Sequence, residues 1–225
     1  MAIKNKIISI CRILSQLLFL SLFVLGMVSF KSLTVVIIVI TVISGPFFCG
    51  WMCFLGFYQD ICRYIGKYIK KDPFEPAEKI QNFLKYSRYI ILLGAITIGG
   101  VFLLPQRIWG NFAGILKGNI DLNYAFYFLI FLGFLSLFTQ RFFCRYLCPI
   151  GAKYGLYSVF RLITINKKDS CSSCKLCSKA CPMGIRIEEI NSLANPNCIN
   201  CFKCIEICPN NNLKIGFRNY LKPKP

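Results

Sequence analysis

The stretch 171–208 reads Cys171-Ser-Ser-Cys174-Lys-Leu-Cys177-Ser-Lys-Ala-Cys181-Pro182 and then, after a spacer, Cys198-Ile-Asn-Cys201-Phe-Lys-Cys204-Ile-Glu-Ile-Cys208-Pro209. One spacing is written twice: three cysteines two residues apart, a fourth three residues further on, and a proline. Two-residue gaps let three thiolates converge from a single tight loop, and the proline turns the chain away after the fourth.

Four thiolates hold one cubane [4Fe-4S] cluster, and in a two-cluster ferredoxin run the fourth cysteine of each motif ligates the other motif's cluster. The spacing therefore assigns Cys171, Cys174, Cys177 and Cys208 to one cluster, and Cys198, Cys201, Cys204 and Cys181 to the second. Disulfides would suit an exported segment, but the charge pattern below places this tail in the reducing cytosol. Zinc ribbons use paired C-x-x-C without the third cysteine and the trailing Cys-Pro.

Around this run the composition is that of a membrane protein. Of 225 residues 56% are hydrophobic and only 16% charged, with mean hydropathy +0.56, a balance that suits a membrane domain with a small polar appendage. There is no histidine, which removes bis-histidine haem, Rieske centres and histidine-bound zinc or copper. It also removes the usual proton shuttle near neutral pH. The net charge of +18 raises nucleic acid as a partner. The basic residues, however, flank apolar stretches rather than gather in a soluble patch, so they read as cytosolic anchors beside anionic lipid.

Taken in order, a short basic start with Lys4, Lys6 and Arg12 precedes an apolar run over 13–30. No small-x-small cleavage site ends this run, so it reads as a retained first transmembrane helix rather than a signal peptide. A second run covers 33–48 and reaches the ~20 residues of a full span only by taking in 49–55. The loop 63–88 carries Arg63, Lys67, Lys70, Lys71, Lys79, Lys85 and Arg88, with turns at Asp72-Pro73 and Glu75-Pro76, and its basic excess places it in the cytoplasm. Spans three and four follow at 89–104 and 122–138, joined by an outer linker over 105–121 whose basic residues are Arg107 and Lys117. The expected architecture is a membrane all-α domain over 1–165, four transmembrane helices as two tandem two-helix repeats. A small α+β two-cluster ferredoxin-like domain over 166–225 follows it. Both termini face the cytoplasm of a prokaryotic inner membrane.

The repeat shows in the sequence itself. Phe48-Cys49-Gly50-Trp51-Met52-Cys53-Phe54-Leu55-Gly56 lies over Phe143-Cys144-Arg145-Tyr146-Leu147-Cys148-Pro149-Ile150-Gly151. Each copy follows the cytoplasmic end of an even-numbered span, and each precedes a basic amphipathic segment, 61–71 or 154–168, with the pattern of an interfacial helix. On a helix, C-x-x-x-C sets two sulfurs on one face, one turn apart. Two such helices would offer Cys49, Cys53, Cys144 and Cys148 as a third redox site, either a further cluster or redox-active thiol pairs. The plain alternative is that these small apolar side chains simply pack. Cys11 and Cys62 share no such pattern and read as structural.

Both motif classes together resemble the NapH/NosR/CcoG-type membrane polyferredoxins, and among them the NapH-type quinol dehydrogenase component most closely. That type has four spans, a C-x-x-x-C-P motif after the second and the fourth, and two C-terminal [4Fe-4S] motifs. Cys144 to Pro149 matches the second of those motifs, whereas Phe54 stands where the first would have its proline. The resemblance covers nearly the whole chain and implies a link between the membrane quinone pool and a redox chain.

The function expected from this is membrane-bound electron transfer between a quinone and another redox subunit, a ferredoxin-like protein, flavoprotein or cytochrome. Oxidising a quinol releases protons, and without histidine the acceptor candidates are Asp60, Asp121, Tyr58 and Tyr146. Asp60 lies nearest the first cysteine pair and is the leading candidate, its bland reading being a cap or a pair with Arg63. Two rivals stay open: an anchored relay without a quinone site, and a metal or thiol reductase working through the C-x-x-x-C pairs.

Overall fold

A computed structural model describes residues 7–25, 30–69, 74, 78–97, 114, 124–168, 170–190 and 192–218. In chain order the described helices are α1 (Ile7–Val24), α2 (Phe30–Ser44), α3 (Phe47–Trp51), α4 (Phe54–Ile69), α5 (Glu78–Thr97), α6 (Tyr124–Phe138), α7 (Phe142–Tyr146) and α8 (Pro149–Tyr157). A 3-10 turn at Ser158–Phe160, strand β1 (Ile163–Lys167), helices α9 (Leu176–Lys179) and α10 (Lys203–Ile207), and strand β2 (Leu213–Phe217) complete them. Among the described residues α1 is the one helix long and apolar enough to cross a membrane, with shorter apolar helices at Thr34–Ser44 and Phe126–Phe138. The turns at Asp72-Pro73 and Glu75-Pro76, and Asp121, lie outside the described residues.

Three local differences from the sequence reading have physical causes. First, α1 starts at Ile7 rather than 13, so Arg12 falls inside the helix and is buried. Second, the run expected over 33–55 is not one helix: α2 stops at Ser44, Gly45 takes φ +91°, and α3 begins after Pro46. Pro46 has no N–H to donate and drives the residue before it out of the helical region, which glycine accommodates by going to positive φ. Third, the segment expected as an interfacial helix over 154–168 leaves helix at Tyr157 and becomes β1 at Ile163. Ile163-Thr164-Ile165 is β-branched throughout, and in a strand those side chains alternate faces with little rotamer cost.

The same two turns of chain occur in both copies of the repeat. In α3 the N–H groups of Met52 and Cys53 both donate to Phe48 O at 3.0 Å, and in α7 those of Leu147 and Cys148 both donate to Phe143 O at 2.9 Å. Met52 has φ −119° and ψ −24°, and Leu147 has φ −117° and ψ −20°. Only the first cysteine of each pair is therefore helical, and the second sits at the junction to the next helix. That corrects the placement of both sulfurs on one helix face. Phe54 and Pro149 open α4 and α8 at equivalent first positions. Proline suits that position because its missing N–H has no helical partner there. Phe54 fills it by packing instead, fully buried with its ring stacked on Phe23 at 6.0 Å.

The chain forms two compact units. One comprises the chain up to Leu18, Phe30–Cys53 and the chain from Tyr154; the other comprises Phe19–Ser29 and Phe54–Lys153. In the first, β1 and β2 pair antiparallel from Ile163↔Phe217 to Lys167↔Leu213. Leu162 N–H donates to Ile43 O at 2.9 Å, tying the ribbon to α2. Ile165, Met183, Ile185, Ile187, Leu193 and Leu213 form its buried core. In the second unit α4 lies against α6 so closely that a Cβ at Gly66 would collide with Leu137 O. Tyr58 Oη donates to Leu129 O at 3.0 Å and Arg63 Nη1 to Leu137 O at 2.8 Å. The outer face of α4 exposes Tyr64, Ile65, Tyr68 and Ile69.

Candidate iron–sulfur centres

The two cysteine loops have one backbone. Positive φ occurs at Ser173 (50°) and Asn200 (48°), each just before a second cysteine, and at Lys175 (61°) and Phe202 (55°), each just after it. It recurs three residues past each fourth cysteine, at Gly184 (59°) and Asn211 (50°). Such left-handed residues, which chirality makes uncommon outside glycine, turn successive N–H groups toward one point and form a cradle for an anion. The helices that follow, α9 and α10, carry Cys177 and Cys204.

Cys181, Cys198, Cys201 and Cys204 line one cavity whose remaining wall is apolar, including Ile165, Met183, Ile187 and Leu193. Cys198, Cys201 and Cys204 are buried. Burial pushes the Cys181 thiol up to about 12, with the charges of Cys201 and Cys198 adding to it. Burial also pushes Cys204 up, again with Cys201, Cys198 and Cys181 adding. Burial that disfavours the thiolate means that these cysteines would give up their protons on taking a metal. Cys177 is likewise pushed up by burial, and the charges of Glu188 and Cys171 add to this. Cys174 is exposed, and Cys208 Sγ accepts the Asn212 N–H at 3.3 Å. Among the described residues no three His, Cys, Asp or Glu converge tightly enough for one metal ion. Thiolates around a cubane are spread over four iron atoms, so four cysteines lining an apolar cavity fit such a cluster.

The loop of Cys198–Cys204 is seated on the helix that carries Cys49. Trp51 Nε1 donates to Asn200 O at 2.9 Å, the Trp51 and Phe202 rings meet edge-on at 6.1 Å, and Asn200 Nδ2 donates to Ser44 O. From the other side α1 holds α3: Gln16 Nε2 donates to Gly50 O at 3.1 Å and Ser15 Oγ to Trp51 O at 2.8 Å. Arg161, fully buried, donates to Asn195 O at 2.6 Å and approaches Asn200 Oδ1 at 3.5 Å. A Cβ at Gly50 would collide with Ile199 O. Gly50→Ala is therefore expected to lift α3 from the loop at a cost of about 1–3 kcal/mol, read as a lower thermal midpoint and a perturbed EPR spectrum of the buried centre. A wild-type midpoint with an unchanged spectrum would contradict this seating.

Cys144 and Cys148 belong to the other unit. Gln59, fully buried, donates from Nε2 to Cys144 Sγ at 3.3 Å and accepts the Phe143 N–H at 3.1 Å. Cys148 Sγ accepts the Gly151 N–H at 3.3 Å. The two oxygens of Asp60 accept from Arg141 Nε at 3.0 Å and Nη2 at 2.8 Å. Gln59, Trp51, Asn200 and Arg141 were not singled out in the sequence. Gln59 and Asn200 each adjoin a residue that was, but nothing local marks them as partners of a cysteine or of a distant helix.

A duplicated cysteine cradle with an apolar cage defines an iron–sulfur electron-transfer protein. A family described as a 4Fe-4S dicluster domain matches residues 163–209, and one described as a 4Fe-4S binding domain matches twice, at 25–71 and 124–167. The double match coincides with the two copies of the repeat. An uncharacterized protein of Methanocaldococcus jannaschii is 34% identical over 81% of this chain and 77% of its own length. The ferredoxin-type protein NapH of Haemophilus influenzae is 25% identical over 82% of this chain and 67% of its own. The regulatory protein NosR of Stutzerimonas stutzeri is 26% identical over 71% of this chain but 22% of its own. The chain belongs to the NapH/NosR-type polyferredoxin family. No solved structure matches it.

Proposed function

We propose that this protein passes electrons between the membrane quinone pool and a redox partner through two [4Fe-4S] centres. Cys171, Cys174, Cys177 and Cys208 hold one, and Cys198, Cys201, Cys204 and Cys181 the other. The observation that carries this reading is the cage of Cys181, Cys198, Cys201 and Cys204 seated on the Cys49 helix. When bound, each cluster takes up and releases one electron. A hydroquinone oxidised to quinone gives two electrons and two protons, so two one-electron centres match one turnover.

The chain's own residues set the order of the relay. Cys198, Cys201 and Cys204 are buried against α2 and α3, whereas Cys174 is exposed. The set of Cys171, Cys174, Cys177 and Cys208 thus offers the face on which a ferredoxin-like protein, flavoprotein or cytochrome docks. Each copy of the repeat adds a cysteine pair as a candidate for further redox chemistry, Cys49 with Cys53 and Cys144 with Cys148, and the sulfurs of the second pair accept N–H donors from Gln59 and Gly151. A four-span arrangement in a prokaryotic inner membrane, with a membrane domain over 1–165, a ferredoxin-type domain over 166–225 and both ends cytoplasmic, accounts for the charge distribution of the apolar stretches.

The test is anaerobic. The reduced, purified protein is mixed with menadione, and cluster reoxidation is followed by absorbance and EPR beside a Cys49→Ser/Cys144→Ser variant. Fast reoxidation in the wild type, slowed at least about tenfold in the variant with the ferredoxin-type signals intact, is the expected result. Reoxidation of the wild type that ignores menadione would leave an anchored relay without a quinone site.

A further inference from the structure

The geometry points to a binding site for a quinone ring in the cavity between α2, α3 and the β-ribbon, with Thr164 as the hydrogen-bond donor to a ring carbonyl. The cavity measures about 320 Å³ and is lined on one side by Ile40, Ser44 and Phe47 and on the other by Thr164, Asn200 and Ile215. That volume lies at the small end of ligand pockets, and an apolar wall with a few placed polar groups is their usual make-up. The inference rests on the quinone reading above and gives that reading a place in the chain.

Three features single this cavity out. Thr164 is 2% exposed, and its Oγ1 is buried with no hydrogen-bond partner among the described residues. An unpaired buried hydroxyl is costly; Thr164 lines the cavity, and a turn about χ1 would bring its hydroxyl from this closed position to a ligand carbonyl that satisfies it. Next, Ile165 and Phe202 line both this cavity and the cysteine cage. A ring here would stand one layer of side chains from Cys201, and Asn200 and Phe202, which flank that cysteine, are part of its wall. Finally, the lining residues Ile40 and Ile215 are both exposed, and Phe217 at the ribbon's end is 82% exposed. The way in is apolar, as an isoprenoid tail or a ring arriving from lipid requires.

Two variants test the assignment with menadione as the probe. Thr164→Val keeps the shape of the side chain and removes only the unpaired hydroxyl. It is expected to weaken menadione binding about two- to tenfold, measured by equilibrium dialysis and as a higher half-saturating concentration in cluster reoxidation. Its reoxidation by ferricyanide and its EPR spectra stay those of the wild type, and its thermal midpoint is unchanged or higher. Ile215→Trp fills the cavity from the solvent side and is expected to slow menadione-driven reoxidation while sparing the ferricyanide reaction. If the wild type responds to menadione and both variants match it, the quinone site lies elsewhere and this assignment is overturned while the quinone reading stands. Should the wild type itself neither bind nor respond to menadione, the quinone reading fails and the site with it.

Discussion

Replacing Cys181 with serine is expected to abolish the same [4Fe-4S] centre that Cys198→Ser abolishes, although Cys181 belongs to the other cysteine motif. Each variant should lose about four of about eight iron atoms and about half of the cluster absorbance. The two should leave the same residual EPR spectrum, and their double variant should lose no more than either alone. Cys171→Ser, by contrast, should remove the complementary signal. The reason is spatial: Cys181 lines the cavity with Cys198, Cys201 and Cys204, and its thiol senses Cys201 and Cys198 through space. If Cys181→Ser instead left the spectrum that Cys171→Ser leaves, each motif would build its own cluster and the crosswise assignment would be wrong. The serine variants differ from the wild type by one atom, so general unfolding would show as loss of both centres and be separable from loss of one.

How far the sequence carried depended on the range of each interaction. The cysteine loops were legible because their chemistry is local: two-residue gaps and a following proline specify a cradle whatever packs around it. The repeat was legible for the same reason, but the hydrogen bonds of Cys53 and Cys148 to Phe48 and Phe143, which take the second cysteine of each pair out of the helix, were not. The break at Gly45-Pro46 was also written in the sequence, but the apolar composition of 33–48 suggested a single span across it. Strand β1 was missed because Tyr154 to Lys168 mixes aromatic and aliphatic residues with Arg161, Lys167 and Lys168, a composition that suits a surface helix as well as a strand. Its partner Leu213–Phe217, which settles the matter by pairing, lies far along the chain. The seating of the Cys198 loop on α3 was invisible because it depends on what Gly50 lacks, a side chain facing Ile199 O.

Asp60 shows the same limit most sharply, because its nearness to Cys53 in sequence suggested a proton acceptor while its partner in space is Arg141. Arg141 is completely buried, sits at φ 50° at the head of α7, and takes both oxygens of a carboxylate that is 15% exposed. A Cβ at Gly56 would lie 3.2 Å from its guanidinium carbon, so the pair has little room to rearrange. Removing one member of such a pair strands a buried charge, at about 3–5 kcal/mol. Asp60→Asn is therefore expected to lower the thermal midpoint on the order of 10 °C, and Arg141→Gln to do much the same. The double variant Asp60→Asn/Arg141→Gln, which leaves no unpaired charge, should recover most of the loss, since two neutral amides can still bond each other. Turnover separates the two roles of the carboxylate. If Asp60 only positions α7 and the Cys144 pair that follows it, menadiol-driven cluster reduction returns in the double variant together with stability. If Asp60 accepts the quinol proton, the double variant melts like the wild type yet stays slow at every pH, because neither amide can take a proton.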